Sequence, residues 1–134
     1  MKLTSRGEYA LLALVYIARN GKTRLVSSEE ISAKRQIPRK FLEQILSQLK
    51  NAGILQSRRG SAGGYAFKKS PDIVTVAQVV RLIDGALAPS PAVSQFFYQS
   101  SPIQREKSLL ELFQRTRDLV AKLLEKTTIA DLSK

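Results

Sequence analysis

Residues 37–69 read IPRKFLEQILSQLKNAGILQSRRGSAGGYAFKK, and this stretch decides the fold. From Pro38 to Asn51, apolar residues recur every three or four positions, which predicts an amphipathic helix. Two short apolar runs follow at 54–57 and 65–68, and the seven residues between them include three glycines and two arginines. Runs of this kind around a glycine-rich turn predict a β-hairpin. A basic helix that leads directly into a basic hairpin indicates a recognition helix followed by a wing.

A second, shorter helix precedes the recognition helix. Ser27 and Glu30 have the spacing of a capping box, in which two side chains satisfy free backbone N–H groups at the start of a helix. Residues 35–37 are the turn, and Pro38 suits the beginning of the next helix because it has no N–H to leave unpaired. Since turns of this kind often contain glycine, Gln36 or a neighbour has to adopt the left-handed conformation instead. The pattern is typical of a helix-turn-helix.

Two further helices, over residues 4–20 and 75–85, complete a small domain. The predicted fold class is mainly α with a small β-hairpin: a winged helix-turn-helix domain over residues 1–85. Residues 86–103 contain prolines, serines and three adjacent aromatics, and are expected to be a linker and candidate effector region. Its aromatics either pack on the domain or its partner, or line an effector pocket. Residues 104–134 are expected to form a long C-terminal dimerisation helix and a tail.

The long helix has an apolar stripe that a closed winged-helix core does not need. The stripe has a seven-residue repeat and consists of Leu109, Leu112, Phe113, Thr116, Leu119, Val120, Leu123 and Leu124. The simplest partner for it is the same helix of a second copy, which predicts a homodimer with two recognition helices in successive major grooves. The alternative is packing against its own domain. Residues 127–134 are expected to fray or to cap the helix.

The formal net charge of +11 is concentrated in the first half of the chain. Residues 1–69 contain 14 lysines and arginines against 4 acidic residues, whereas residues 70–134 contain 8 against 7. A charge that served only solubility would have no reason to be segregated in this way. The half that holds the helix and the hairpin therefore has the charge expected of a phosphate-binding surface, with a general basic surface as the alternative.

The outward face of the recognition helix carries amide, hydroxyl and charged groups, namely Lys40, Glu43, Gln44, Ser47, Gln48 and Asn51. Amide side chains can pair with adenine, and lysine reaches guanine or phosphate, although an ordinary solvated face is the alternative. Arg58 and Arg59 would project from the hairpin tip, where arginine suits a narrow minor groove. Phosphate contacts are predicted for Lys2, Arg39, Lys50, Arg58, Lys68 and Lys69.

The chain contains no cysteine and no histidine. These absences exclude disulfides, zinc held by cysteine or histidine, thiolate-bound iron–sulfur clusters, and Cys–His or Ser–His catalysis. The 11 acidic residues are scattered, so no cofactor, metal site or enzymatic activity is predicted. The longest apolar run, residues 10–18, is too short to span a bilayer, and residues 1–9 lack the core of a signal peptide. A cytoplasmic protein with no membrane partner is expected.

Three blocks of the sequence together resemble the Rrf2 family of bacterial winged helix-turn-helix regulators, which includes IscR, NsrR and CymR. They are LTSRGEYAL at 3–11, FLEQILSQLKNAGIL at 41–55 and SRRGSAGGYAF at 57–67. Many members place three cysteines between the fourth helix and the dimer helix to hold an iron–sulfur cluster, whereas residues 86–102 contain none. The chain therefore resembles the cluster-free members, which respond to a protein partner or a small molecule.

The resemblance implies a homodimeric cytoplasmic transcription regulator, usually a repressor. By position it points to Lys40, Glu43 and Gln44 as readers of bases, and to Arg59 with Gly60 at the minor groove. A carboxylate at position 43 accepts from the cytosine amino group or rejects other bases by repulsion. The predicted function is sequence-specific binding of double-stranded DNA at a palindromic operator. The alternative is a winged-helix interaction module that binds an acidic protein partner.

Overall fold

The computed structural model describes all 134 residues, which form six α-helices and one two-stranded antiparallel hairpin. The elements are α1 (Ser5–Asn20), α2 (Ser28–Arg35), α3 (Arg39–Asn51), β1 (Leu55–Arg58), β2 (Gly64–Phe67), α4 (Val76–Ile83), α5 (Lys107–Lys126) and α6 (Ile129–Leu132). Single 3₁₀ turns lie at Pro71–Ile73, Pro91–Val93 and Pro102–Arg105. The predicted fold class is confirmed: a winged helix-turn-helix is followed by a long C-terminal helix. None of the helices has the length and apolar content that crossing a membrane requires.

α1 lies at the centre of the core because its sequence offers an apolar side chain at almost every inward position. Four of its residues are at most 1% exposed, namely Ala10, Ala13, Leu14 and Ile17. Thr4 caps the helix, since its Oγ1 accepts a hydrogen bond from the backbone N–H of Gly7 at 3.2 Å. The helix contacts α2, α3, α4, α6 and β2, so it positions both halves of the helix-turn-helix and the wing.

The helix-turn-helix forms as the sequence predicts. The Ser27 hydroxyl accepts from the backbone N–H of Glu30 at 3.1 Å and so caps α2. Gln36 adopts the left-handed conformation, with φ 53° and ψ 48°, and is the only residue other than glycine with positive φ. The reciprocal half of the predicted capping box is missing, because the Glu30 carboxylate binds Tyr16 and Arg24 instead.

The C-terminal tail packs into the core of the first domain. Ile129 in α6 is 0% exposed and belongs to the same apolar cluster as α1 and α3. Its backbone N–H donates to the Val74 carbonyl oxygen at 2.9 Å, and the N–H of Val76 donates to the Thr127 carbonyl oxygen at 2.9 Å. The expectation that the tail frays is therefore wrong, whereas the alternative that it caps the helix holds for Thr127, the C-cap of α5. A single isoleucine produces no periodic pattern, yet it fills a space that only the folded domain creates.

α5 has a covered side and an uncovered side. The covered side packs on α4 and on residues 91–105, where Arg117 Nη1 donates to the Val93 carbonyl oxygen at 2.9 Å. Arg81 of α4 also pairs with Glu125 at 2.7 Å. The uncovered side holds four leucines that are 44–73% exposed, namely Leu109, Leu112, Leu119 and Leu123. Packing against its own domain thus accounts for only part of the apolar stripe.

Candidate nucleic-acid interface

α3 separates an apolar face from a polar face, as its spacing predicts. The residues of its inward face are 0% exposed and comprise Leu42, Ile45, Leu46 and Leu49, whereas Phe41 lies outside this face and is 49% exposed. The opposite face is exposed and includes the candidate residues Lys40, Glu43, Gln44, Ser47 and Lys50. Because the buried leucines and isoleucine fix the rotation of the helix, these five side chains share one solvent-facing surface.

Two neighbouring candidates on α3 pair with each other. Arg39 Nε donates to Glu43 Oε1 at 3.2 Å, one helical turn apart. Both side chains are more than half exposed, so water screens the pair and it adds little to stability. A DNA phosphate can therefore compete with Glu43 for the Arg39 guanidinium at small cost.

Arg6, which no sequence pattern singles out, lies against the same face of α3. Its Nη1 donates to Gln44 Oε1 and its Nη2 donates to Gln48 Oε1, both at 3.2 Å. Gln48 also donates from Nε2 to the Leu82 carbonyl oxygen at 3.3 Å. The guanidinium thus joins the first turn of α1 to two amides of α3. These partners are 38 and 42 residues away along the chain, so no local pattern could have revealed them.

Two positions in the wing require glycine for different structural reasons. Gly60 has φ 109° with open space around it, so the tip requires glycine for its backbone angle alone. A β-carbon on Gly64 would lie 2.6 Å from the Val26 carbonyl carbon, so that position requires glycine for close approach as well. Val26 and Tyr65 exchange backbone hydrogen bonds of 2.9 and 2.7 Å. These bonds fasten the wing to the residue that precedes the Ser27 cap of α2.

A polar groove of about 630 Å³ lies between the start of α2, α3 and the wing. It brings together five of the candidate residues, namely Arg39, Lys50, Arg58, Arg59 and Gly60. Four of these are cations, and Glu29 is the one acidic residue in the lining. The walls also carry the hydroxyls of Ser27 and Ser28 at the N-terminus of α2. Such a groove attracts phosphate groups through its excess positive charge.

Lys2 and Lys68 are exposed but lie outside this groove. Lys68 follows β2 and lines a second groove of about 360 Å³ together with Lys22 and Lys69. Lys2 precedes α1. The structure therefore does not bring these two candidates together with the wing tip.

Glu30 anchors the helix-turn-helix to α1. Its carboxylate accepts a hydrogen bond from the Tyr16 hydroxyl at 2.5 Å and two from the Arg24 guanidinium at 2.8 Å each. The bonds from Arg24 first, and from Tyr16 second, lower the pKa of Glu30 to about 2. The bond to the Glu30 carboxylate raises the pKa of Tyr16. The network ties together α1, the loop before α2 and α2 itself.

A protein-family model matches almost the whole of this chain. The model of the Rrf2 family, described as an iron-dependent transcriptional regulator, matches residues 3–134. The chain belongs to the Rrf2 family. It is thus a DNA-binding transcription regulator of the winged-helix class, and not an enzyme.

The similar Rrf2 proteins include the CymR regulators. CymR of Bacillus subtilis is 31% identical over 133 residues, which are 99% of this chain and 90% of that protein. The solved structure of B. subtilis CymR, called a global cysteine regulator, has a TM-score of 0.80 at 30% identity and covers 99% of this chain and 96% of its own. The oxidized form of Staphylococcus aureus CymR has a TM-score of 0.82 at 25% identity, covering 100% and 97%. The resemblance therefore extends through α5 and α6.

The iron in the family's description does not fit the side chains of this Rrf2 member. Iron–sulfur clusters are held by cysteine, with histidine in some centres, and this chain contains neither. Residues 86–102 also contain no carboxylate. No group of three or more acidic residues converges elsewhere in the molecule. The donor set for such a cluster is therefore missing.

Residues 86–102 cover the junction of α4 and α5. The aromatics at 96–98 are 47–64% exposed, and the Arg81 guanidinium lies over the Phe96 ring at 4.9 Å from its centroid. The space between Phe97 and Arg117 is about 10 Å³, close to what one water molecule needs. That space does not hold a metabolite in this conformation.

Proposed function

We propose that the chain is a homodimeric, sequence-specific repressor that reads a palindromic operator in double-stranded DNA. The observation that carries the proposal is the juxtaposition of the polar face of α3 with the arginine-bearing wing across the groove. The α3 face offers base-reading chemistry, and the groove offers four cations for phosphates. Net charge alone would not distinguish DNA from other anions, but amides and hydroxyls beside it favour base edges.

Each candidate residue then has a distinct role. Lys40, Glu43, Gln44 and Ser47 face base edges in the major groove, because they lie on the exposed side of α3. Arg59 and Gly60 at the wing tip enter the neighbouring minor groove. The residues that contact phosphates are Lys2, Arg39, Lys50, Arg58 and Lys68.

The uncovered side of α5 supports the homodimer. Its apolar seam runs Leu109, Leu112, Thr116, Leu119 and Leu123, with alternating spacings of three and four residues. This is the spacing of helices that pair in a coiled coil, and exposed leucines at four of the five positions favour a partner of equal length. A two-fold axis through the seam would place two α3 helices in successive major grooves, about one helical turn apart. Because the two helices would be related by two-fold symmetry, the two half-sites that they read would form an inverted repeat.

A dimer on such a site occludes about two turns of DNA, which blocks a promoter that overlaps it. Repression therefore needs no contact with polymerase. Release of the operator would be governed by a protein or small-molecule effector, for which residues 86–103 are the candidate region because they lie between the DNA-binding domain and α5.

Selection of bound sequences from a random DNA pool by the full chain tests the proposal. We expect enrichment of an inverted repeat, with affinity that falls steeply with salt, by about 0.9 logarithmic units per phosphate contact. Gln44→Ala should erode the preference among sequences, whereas Lys50→Ala should weaken all sequences alike. Binding without sequence preference, displaced equally by an acidic polypeptide, would favour a protein-interaction module instead.

A further inference from the structure

We propose that Arg6 determines base specificity by fixing the amide of Gln44, so that Gln44 meets the DNA as a hydrogen-bond donor. The inference rests on the proposed function and deepens it. Arg6 acts here as a positioning residue: it sets the chemistry of the reading surface without touching a base. The consequence is a preference for guanine over adenine at the base opposite Gln44.

The orientation of the two amides follows from the chemistry of their partners. An arginine side chain has five N–H donors and no acceptor, so the amide atom that faces it has to be oxygen. Arg6 meets Gln44 and Gln48 with two separate nitrogens at 3.2 Å. The fork therefore orients both amides at once, and the NH₂ group of Gln44 is left on the exposed side.

Gln48 holds the fork in place. Its oxygen accepts from Arg6, and its nitrogen donates to the Leu82 carbonyl oxygen, which can only accept. Both ends of this amide are thus fixed by groups of known polarity, and its side chain is less exposed than that of Gln44. Gln48 supports Arg6 and has no free end for a base. Of the two amides, only Gln44 is available for reading DNA.

A glutamine that presents only its NH₂ group to the DNA distinguishes guanine from adenine. Pairing with adenine uses both ends of a free amide, since the oxygen accepts from N6 while the nitrogen donates to N7. Because its oxygen is turned towards Arg6, Gln44 presents its NH₂ group to the base and cannot place both ends of the amide on adenine, where that NH₂ group would meet the N6 amino donor. Guanine presents N7 and O6, which are both acceptors, and therefore suits the NH₂ group.

The charge of Arg6 alone would have a different effect. If the guanidinium contacted a phosphate, its loss would weaken every DNA sequence by a similar factor and reduce the salt slope. A positioning role changes the preference at one base position. The two roles are therefore separated by a readout that does not depend on overall affinity.

The experiment compares base preference at each operator position for the wild type, Arg6→Lys, Arg6→Ala and Gln44→Ala. The position that loses its preference in Gln44→Ala is the one that Gln44 reads. At that position we expect the wild type to favour guanine over adenine by about tenfold, the size of one good base contact. Arg6→Lys keeps the charge but not the fork, so it should remove most of this preference and leave other positions unchanged. Arg105→Ala is the charge control for Arg6→Ala, because it also removes one positive charge, at an exposed position in the 3₁₀ turn Pro102–Arg105.

A measurement without DNA keeps the inference separate from the proposed function. In nuclear magnetic resonance relaxation of the full chain, the Gln44 NH₂ group should be ordered in the wild type and mobile in Arg6→Lys. Gln56, whose Nε2 donates to the Phe67 carbonyl oxygen, is the internal reference and should not change. If Gln44 is equally mobile in both proteins, or if both Arg6 variants weaken all sequences alike, the inference is wrong. If the wild type selects no sequence at all, the proposed function fails whatever the relaxation shows.

Discussion

Asp84 Oδ2 accepts a hydrogen bond from the backbone N–H of Thr4 at 3.0 Å, so the residue that ends α4 binds the N-terminus of α1. Asp84 also accepts from the Thr4 hydroxyl. The contact needs Gly7, because a β-carbon there would lie 2.2 Å from Asp84 Oδ2. Helix interiors normally favour alanine over glycine, so this glycine reflects the approach of the carboxylate.

The effect of Gly7→Ala on the free energy of unfolding should therefore change sign when Asp84 is replaced. In the wild type we expect it to reduce the free energy of unfolding by about 1 kcal/mol, because displacing Asp84 costs more than the helix propensity gained. In an Asp84→Ala background the same change should stabilise the protein by about 0.5–1 kcal/mol. Urea unfolding of the four proteins measures both effects. Stabilisation of equal size in both backgrounds would contradict the assignment.

The lowered pKa of Glu30 predicts that the protein loses stability in acid. Its pKa of about 2 in the folded protein is below the ordinary value of 4.5, so its contribution is present above pH 4.5 and disappears as the pH falls towards 2. Allowing for its partial exposure, Glu30→Gln should cost about 2 kcal/mol at pH 7. We expect that difference to shrink progressively between pH 5 and pH 2.5 in thermal unfolding.

The exposed neighbour Glu29 is the matched control for Glu30. Glu29→Gln makes the same chemical change on the same turn of α2, but Glu29 has no ion pair or side-chain hydrogen bond. It should leave stability unchanged within about 0.5 kcal/mol. A pH-independent cost for Glu30→Gln would mean that shape, and not charge, matters at position 30.

The two wing glycines should differ in the cost of alanine. Gly64→Ala places a methyl group against the backbone of Val26 and should cost about 3 kcal/mol, since neither backbone can move away freely. Gly60→Ala meets open space and should cost about 1 kcal/mol for its left-handed angle alone. Unfolding midpoints compare the two. Equal costs would mean that the wing is not held against the start of α2.

The apolar seam of α5 predicts the oligomeric state. Leu119 is 73% exposed in the single chain, so Leu119→Lys should leave the fold intact while it prevents two seams from pairing. We expect a monomer by light scattering and a large loss of affinity for the selected palindrome. Glu111→Lys introduces the same side chain on α5 outside the seam and should leave a dimer. If Leu119→Lys stays dimeric, another surface pairs the subunits.

Local patterns were enough to predict the helices and the wing, because the core face of α3 and the cap of α2 are encoded by neighbours in sequence. The left-handed Gln36 could also be inferred, since the turn required such a residue. The roles of Arg6 and Asp84 could not be predicted. Each acts through a partner at least 38 residues away, and a lone charged side chain gives no sign of which distant group it will meet.

The position of Ile129 limits how this protein can be divided. Its burial against α1 and its bond to Val74 mean that the core of the winged helix-turn-helix domain is completed by residues from the far end of the chain. Chimeras that join the first 85 residues of one regulator to the long C-terminal helix and tail of another would therefore mismatch this contact. Exchange of DNA specificity between relatives should succeed when α6 is transferred together with the winged helix-turn-helix domain whose core it fills.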